Sequence, residues 1–224
     1  MYWGNWTASV SFCEPKYAVL PHLAEFHNTW SNIGFVLVAC LTWRQRKPAL
    51  ALLAVGLGSS LLHATGRRSA QLCDELAMLW WVLTMIQHLA PFAALGGRMP
   101  LLYGFNVGLS LAYLVSSRFE CFAAVFALDV ICLICVVTRV ANTDAERACV
   151  GNAIAAFLFA FLFWTSDQFL CPVLPVSAWG HVAWHLGSAL ACWHSHQVLA
   201  LVRARNRRYT KTQPNANIPK PLVL

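Results

Sequence analysis

Charged residues are scarce in this sequence of 224 residues. Only 11% of the chain is Asp, Glu, Lys or Arg, whereas 58% is hydrophobic, and a soluble domain normally carries about 25% charged residues. This scarcity excludes an ordinary soluble domain and is typical of a membrane protein. The alternating apolar pattern of barrel strands is also missing, so helices are the spanning structure that remains. No internal repeat indicates a second domain.

Seven apolar runs are separated by short polar segments. They cover roughly residues 30–43, 49–65, 72–95, 99–116, 119–138, 148–166 and 180–202. A helix needs about 20 residues to cross a hydrocarbon core, and short loops place consecutive helices side by side and antiparallel. We therefore expect an all-α membrane protein, a seven-transmembrane-helix bundle at 29–203. It follows an outer N-terminal segment at 1–28 and precedes a basic, disordered tail at 204–224.

Lysine and arginine predict the orientation of this bundle. With the N-terminus outside (lumen or periplasm) and the C-terminus in the cytoplasm, the outer segments hold only Lys16, Arg67, Arg68 and Arg118 of the 16 basic residues. The basic stretch 203–211 is expected to lie against anionic lipid head groups. The net charge of +7 therefore requires no nucleic-acid partner. We expect a multi-pass integral membrane protein, of the ER or Golgi in a eukaryote or of the inner membrane in a bacterium. Residues 1–20 lack the pattern of a cleavable signal peptide.

Ionisable residues gather at one end of these runs. His63 closes the second run, Asp74 opens the third, Asp167 ends the sixth, and His181 and His185 open the seventh. Antiparallel runs place all five at one depth on the outer side, where ionisable groups are costly and usually functional. His181 and His185 lie one helical turn apart. Together with His63 they form the three-histidine set of a catalytic zinc, whose open fourth position holds an acidic water.

Two further residues are candidates for chemistry beside this histidine set. Ser59 lies four residues before His63 and shares its helix face. Asp74 follows a short turn that returns the chain beside His63, where a carboxylate can accept a proton or orient a ligand. Simpler alternatives stay open. Ser59 can serve as a small residue for close helix packing, and Asp74 as a charge favoured by a helix N-terminus.

The nine cysteines are odd in number, so they do not form a complete disulfide framework. Cys13 and Cys171 both fall in outer segments, and a disulfide between them is one open arrangement. Cys73 and Cys121 also lie near the outer boundary.

Two classes of protein other than an enzyme are also compatible with these histidines. A receptor or lipid-binding protein would keep the metal only as a structural element, in a closed site with four protein ligands. A haem-bearing electron carrier would need histidines facing one another on paired spans. The fourth, fifth and sixth runs contain no histidine.

Taken together, several short motifs resemble the alkaline ceramidase family, seven-span zinc amide hydrolases. They are YWG at 2–4, CE at 13–14, AEFHNTWSN at 24–32, GSSLLH at 58–63, QLCDEL at 71–76, FLFWTSD at 161–167, Cys171 and HVAWH at 181–185. The resemblance extends over most of the chain in the family's order.

The resemblance implies a role for each candidate residue. His63, His181 and His185 are expected to hold Zn²⁺, Asp74 to act as the acid and base, and Ser59 to stabilise the oxyanion. Cys13 and Cys171 match the family's disulfide pair. The implied substrate is a membrane lipid, ceramide or a similar N-acyl lipid, cleaved to a fatty acid and a sphingoid base by a monomer.

One departure from the family concerns calcium. The family's N-terminal segment builds a calcium site from an Asp-Trp-Cys-Glu-x-Asn pattern and a later Glu. Here Ser11 and Lys16 stand where an acidic and an amide ligand are expected, although Glu14 and Glu25 are retained. Calcium usually takes 6–8 oxygen ligands. We therefore expect no calcium here, and expect the Lys16 ammonium to lie between Glu14 and Glu25.

Overall fold

The computed structural model describes residues 2–116 and 118–212, and all regular elements within them are helical. Eight α-helices and three short 3₁₀ helices follow one another. The α-helices are α1 (Phe26–Ser31), α2 (Ile33–Leu41), α3 (Arg46–Thr65), α4 (Arg68–Leu89), α5 (Met99–Ser116), α6 (Phe119–Val140), α7 (Asp144–Leu170) and α8 (Gly180–Thr212). The 3₁₀ helices are Ala90–Ala93, Gly96–Arg98 and Pro175–Trp179.

Each of the seven predicted runs coincides with a helical segment. Five of the described helical segments are long and apolar enough to cross a membrane, and they are α3, α4 with its 3₁₀ extension, α5, α6 and α7. The predicted run at 30–43 is not one continuous helix. It falls on the two short helices α1 and α2, which are separated by the single residue Asn32. The run at 180–202 is the first part of α8, which is long but carries four His, two Ser and one Gln in that part and a basic stretch after it. The apolar helices indicate a multi-pass membrane protein.

Helix α8 is the longest element of the bundle. Its 33 residues correspond to about 50 Å at 1.5 Å per residue. It continues through Thr212, past the expected helix end at 203. Residues 213–224 of the expected tail lie outside the described residues. Helix α8 therefore connects the end of the bundle that carries His181 with the end that carries the basic residues.

The start of α7 shows the sequence signal that produces it. Thr143 accepts a hydrogen bond from the Glu146 amide at 3.2 Å, and Glu146 accepts one from the Thr143 amide at 3.1 Å, which is a capping box. The buried Glu146 carboxylate also pairs with Arg205 at 2.6 Å. This ion pair joins α7 to α8 near their basic end, and α7 and α8 pack extensively along their length.

Helices α3 and α4 approach each other closely at Gly58. A Cβ at this position would lie 2.9 Å from the Asp74 amide nitrogen and 3.0 Å from the Asp74 Cα. Only a residue without a side chain fits there, because backbone rather than a flexible side chain stands in the way. The absence of a Cβ at Gly58 is therefore what brings Asp74 beside the Ser59 segment of α3.

We expect Gly58→Ala to destabilise the protein by about 1–3 kcal/mol, because the added methyl group forces α3 and α4 apart. The matched control is Gly151→Ala on α7, where a Cβ would meet nothing within 4 Å. The unfolding temperature of this control should equal or exceed that of the wild type. Thermal unfolding of both variants in the same detergent measures the difference. Equal midpoints for the two variants would contradict the close approach at Gly58.

Candidate metal centre

Three imidazoles converge at one end of the bundle. His63 lies near the C-terminus of α3, and His181 and His185 lie one turn apart at the start of α8. One nitrogen from each ring lies within 4.8 Å of the other two, and all three side chains are buried. Because a buried polar group without a partner is costly, such a cluster is expected only where the nitrogens are used. The structure thus brings together the three histidines predicted from the sequence.

The bond between His63 and Glu25 determines which nitrogen of His63 is free. Nδ1 lies 2.5 Å from Oε2 of the buried Glu25 carboxylate. A carboxylate only accepts hydrogen bonds, so Nδ1 carries the hydrogen and donates it. In the neutral ring Nε2 therefore carries the lone pair, and this buried Nε2 has no hydrogen-bond partner among the described residues. A carboxylate behind a histidine is the usual support of a metal ligand.

Helix α1 orients His185 in the same way. The Ser31 hydroxyl lies 2.7 Å from His185 Nδ1 and also donates to the Asn28 carbonyl at 3.0 Å. Its single hydrogen is used on Asn28, so Ser31 accepts a hydrogen from His185 Nδ1. His185 Nε2 is then free to act as an electron-pair donor, with the Ser59 hydroxyl 3.4 Å away.

His181 completes the set and is covered by Phe12. The Phe12 ring centroid lies 3.9 Å from that of His181 and 4.8 Å from that of His63. Nδ1 of His181 is buried without a hydrogen-bond partner in the described part of the chain. Three buried imidazoles with unused nitrogens fit a single transition-metal ion, and Zn²⁺ is the ion for which such a donor set is most common. The N-terminal segment shields this centre from water.

Ser59 and Asp74 occupy different positions relative to the histidines. Ser59 is buried within reach of His185. Asp74 is buried on α4, where its backbone packs against Gly58 of α3. Within residues 2–116 and 118–212 its carboxylate makes no hydrogen bond and no ion pair. Asp74 is therefore a buried carboxyl group on α4, next to Gly58, that no described partner holds in place.

Asp167 has a structural role at this end of the bundle. Its Oδ1 accepts a hydrogen bond from the Cys13 amide at 3.1 Å, and its Oδ2 accepts one from Gln168 at 2.9 Å. Cys13 is joined to Cys171 in a disulfide, with Cα atoms 5.6 Å apart. The pairing implied by the resemblance is thus present in the structure. The disulfide and Asp167 together attach the N-terminal segment to the end of α7.

Lys16 is half-buried in the N-terminal segment. Its ammonium pairs with Oε1 of Glu25 and donates to the carbonyl oxygens of Phe12 at 2.8 Å and Glu14 at 3.2 Å. The expected position between Glu14 and Glu25 needs one correction, because Lys16 contacts the backbone of Glu14 and not its carboxylate. That carboxylate instead accepts from the amides of His27 at 2.7 Å and Asn28 at 2.8 Å. These amides lie in the first turn of α1, where backbone N–H groups have no partner within the helix and an acidic side chain is favoured.

The Glu25 carboxyl stays ionised in spite of its burial. Burial raises its pKa, but the hydrogen bond from His63 and the ammonium of Lys16 outweigh that effect. The net result is a pKa below the ordinary glutamate value. Glu25 therefore connects Lys16 to His63 as an anion, with one carboxylate oxygen on each.

Sequence reasoning missed most of the residues that support the histidines. The bonds from Glu25 to His63 and from Ser31 to His185 join residues 38 and 154 positions apart, and no local pattern relates them. It also missed the Glu75 carboxylate, which is buried and accepts hydrogen bonds from Tyr113 and Gln71. The only available signal was that Glu25, Ser31 and Glu75 are polar residues within or beside motifs of the resemblance.

The fold and this centre define an all-helical membrane protein with a buried three-histidine site. The model of the ceramidase family matches residues 4–221, and the chain belongs to that family. It is 28% identical to an alkaline ceramidase of Arabidopsis thaliana, over 92% of this chain and 88% of the relative. It is 26% identical to alkaline ceramidase 3 of Mus musculus (86% and 82%) and 24% identical to alkaline ceramidase 1 of Homo sapiens (88% and 84%).

We expect Cys13→Ser to lower the stability by about 2–5 kcal/mol, because the disulfide closes a loop between residues 158 positions apart. Cys40→Ser is the matched control, since Cys40 is a free, exposed cysteine. Thermal unfolding with and without reductant measures the effect. Reductant should lower the midpoint of the wild type and of Cys40→Ser but not that of Cys13→Ser. A wild-type midpoint that ignores reductant would contradict this expectation.

Proposed function

We propose that this protein is a zinc-dependent integral-membrane lipid amidase that hydrolyses the N-acyl amide of a ceramide to a fatty acid and a sphingoid base. The observation that carries the proposal is the convergence of three buried imidazoles, two of them oriented so that Nε2 holds the free lone pair. Membership of the ceramidase family and similarity to alkaline ceramidases support the choice of substrate. All residues of the proposed site come from one chain, so a monomer suffices.

His63, His181 and His185 would hold the metal ion. Three protein ligands leave a fourth position open, and a bound Zn²⁺ supplies a Lewis acid and lowers the pKa of a water at that position. Through their hydrogen bonds to Nδ1, Glu25 and Ser31 would leave Nε2 of His63 and of His185 available to such an ion. In the described part of the chain the cluster has three ligating residues. This favours the hydrolase over a binding protein with a closed structural site.

Asp74 and Ser59 would carry the proton transfer and the charge stabilisation. Asp74 accepts a proton as water adds to the amide carbon, and returns it to the amine nitrogen as the C–N bond breaks. Ser59 donates a hydrogen bond to the carbonyl oxygen of the amide, on which negative charge develops. The products are then a carboxylic acid and a free amine. A carboxyl group held by no described partner, as Asp74 is, suits a group that must gain and lose a proton.

The arrangement in the membrane is part of the same proposal. The seven helical segments would all cross, with α1–α2 and α8 completing the five apolar spans. The N-terminus and the histidines would lie on the outer side, in the lumen or periplasm, and the basic end of α8 in the cytoplasm. The many exposed Leu, Phe, Val and Ile side chains of α5, α6 and α7 would then face lipid. A ceramide can keep its tails in the bilayer while its amide reaches the centre.

The test compares metal content and turnover in three variants. We expect His181→Ala to lose both bound zinc and hydrolysis of ceramide, because it removes a ligand. Asp74→Asn should retain zinc but lose at least about 100-fold in turnover, because it removes the proton acceptor. His194→Ala is the control on the same helix, where the ring bonds Gln197 away from the cluster, and both readouts should stay at wild-type level. Elemental analysis and mass spectrometry of released fatty acid give the two measurements.

Full turnover by zinc-free His181→Ala protein would overturn the metal assignment. Wild-type turnover by Asp74→Asn would remove Asp74 from the mechanism and leave the metal assignment intact. A zinc-loaded wild type that releases no fatty acid from any N-acyl lipid would favour the receptor-type alternative.

We also propose that Lys16 takes the place of a calcium ion in the N-terminal segment. The ammonium is surrounded by three oxygens, from Phe12, Glu14 and Glu25. A tethered cation there neutralises the Glu25 carboxylate without any ion from solution. The proposal assigns Lys16 a positioning role, because it acts on His63 only through Glu25.

We expect the wild type to show no calcium-dependent rise in its melting midpoint. The double variant Ser11→Asp, Lys16→Asn should gain such a rise, because it supplies the carboxylate and amide oxygens that calcium prefers. Lys16→Met, which removes the ammonium without adding an oxygen, is the matched control and should gain none. Thermal unfolding with calcium or with a chelator measures the three proteins. Micromolar calcium binding that stabilises the wild type would contradict the proposal.

A further inference from the structure

A cavity with both polar and apolar lining residues lies toward the opposite end of α8 from the histidines. Its walls come from α8, between Trp193 and Arg207, and from the end of α2 with the following turn, between Leu41 and Gln45. Its volume is about 740 Å³, within the range of ligand sites in proteins. From His185 to Arg203 the helix rises about 27 Å. The cavity is therefore separate from the metal centre and lies close to the other surface of the bundle.

The charge of this cavity has one sign. Arg44, Arg203 and Arg207 line it, and none of its lining residues is Asp or Glu. Among the described residues no carboxylate pairs with any of the three guanidinium groups. Arg205 lies between Arg203 and Arg207 in the sequence, about half a helical turn from each, and it does have such a partner in Glu146. Three guanidinium groups from two parts of the chain, with no counter-ion among the described residues, offer the donors that bind anionic groups.

The two walls of the cavity are joined by a hydrogen-bonded pair. Gln45 donates to the His196 carbonyl at 2.8 Å and its side-chain oxygen lies 3.0 Å from His196 Nδ1. The buried His196 ring also contacts Trp81 Nε1 at 3.4 Å. Gln45 is the residue before α3, and the first turn of α3 holds no acidic side chain. This pair therefore holds the turn before α3 against α8. The N-terminal end of the α3 dipole, which has no acidic residue in its first turn, adds to the positive potential in the cavity.

The cavity also has large apolar residues in its lining. Leu41 is exposed at the end of α2 and the half-buried Trp193 indole also lines the cavity. Tryptophan is enriched where membrane meets water, because its ring spans both environments. An anion with an attached hydrocarbon tail would satisfy both the guanidinium groups and these two side chains. A free inorganic anion would use only the guanidinium groups.

We propose that this cavity binds the phosphate headgroup of an anionic phospholipid from the leaflet opposite the metal centre. Arg44, Arg203 and Arg207 hold the phosphate oxygens, and Leu41 and Trp193 contact the start of the acyl chains. Basic pockets between spans at the membrane surface are suited to such headgroups. The inference goes beyond amide hydrolysis, since it concerns a lipid that the metal centre does not cleave.

The experiment measures lipids that stay bound to the purified protein. The protein is reconstituted in nanodiscs of phosphatidylcholine with about 10% phosphatidylglycerol, and retained lipid is counted by native mass spectrometry. The test variant is Arg203→Gln, Arg207→Gln. The matched control is Arg208→Gln, Lys211→Gln, which removes two positive charges from the same part of α8 but from residues that do not line the cavity. Melting midpoints establish that both variants fold.

We expect the test variant to retain at least about tenfold less phosphatidylglycerol than the wild type, and the control to differ by less than about twofold. Equal losses in the two variants would overturn the proposal, because they indicate diffuse attraction to a basic surface. A second arm titrates inorganic phosphate into the protein in neutral detergent. Phosphate binding that depends on Arg203 and Arg207, with phosphatidylglycerol retention equal in both variants, would assign the cavity to the free ion and overturn the lipid assignment. Neither arm measures turnover, so the result is independent of the proposed hydrolysis.

Discussion

The hydrogen bond between Glu25 and His63 is the interaction on which the rest of this structure depends. It places an ionised carboxylate beside a buried imidazole, fixes the hydrogen on Nδ1 and leaves Nε2 directed into the cluster. A buried carboxylate is costly without compensation, and Lys16 on its other oxygen supplies the opposite charge. Both Lys16 and Glu25 belong to the segment that precedes the first helix. The chain before the bundle is thus a part of the site and not an appendage.

The N-terminal segment before α1 needs several attachments because it has little regular structure of its own. The Thr7 and Ala8 amides donate to the Gly66 carbonyl at 3.0 Å, where α3 ends in a left-handed glycine. The disulfide to Cys171 holds its other side at the end of α7. Phe12, between these attachments, lies over the histidines. Excluding water in this way strengthens every electrostatic interaction beneath it.

Helix α8 gives the protein two chemically distinct ends. Its first turns contribute two of the three clustered imidazoles, and its last turns contribute the arginines of the basic cavity. A single rigid helix separates the two by about 27 Å, roughly the thickness of a hydrocarbon core. The same helix is the least apolar of the predicted spans. Its polar side chains belong to the histidine cluster at one end and to the cavity at the other, and Arg205 pairs with Glu146 of α7.

Composition and periodicity alone determined the helical class, the approximate limits of each apolar run and the convergence of His63, His181 and His185. These follow from local rules. The length of an apolar run indicates where a spanning helix lies, and the antiparallel order of the helices determines the depth at which each helix ends. The break at Asn32, the contact between Gly58 and Asp74, and the bonds from Glu25 and Ser31 to the histidines were decided only by the tertiary structure. Each depends on atoms that are distant along the chain and meet within ångströms. Hydrophobic patterns specify depth in a membrane, but not the rotation of one helix against another or the partner of a single polar atom.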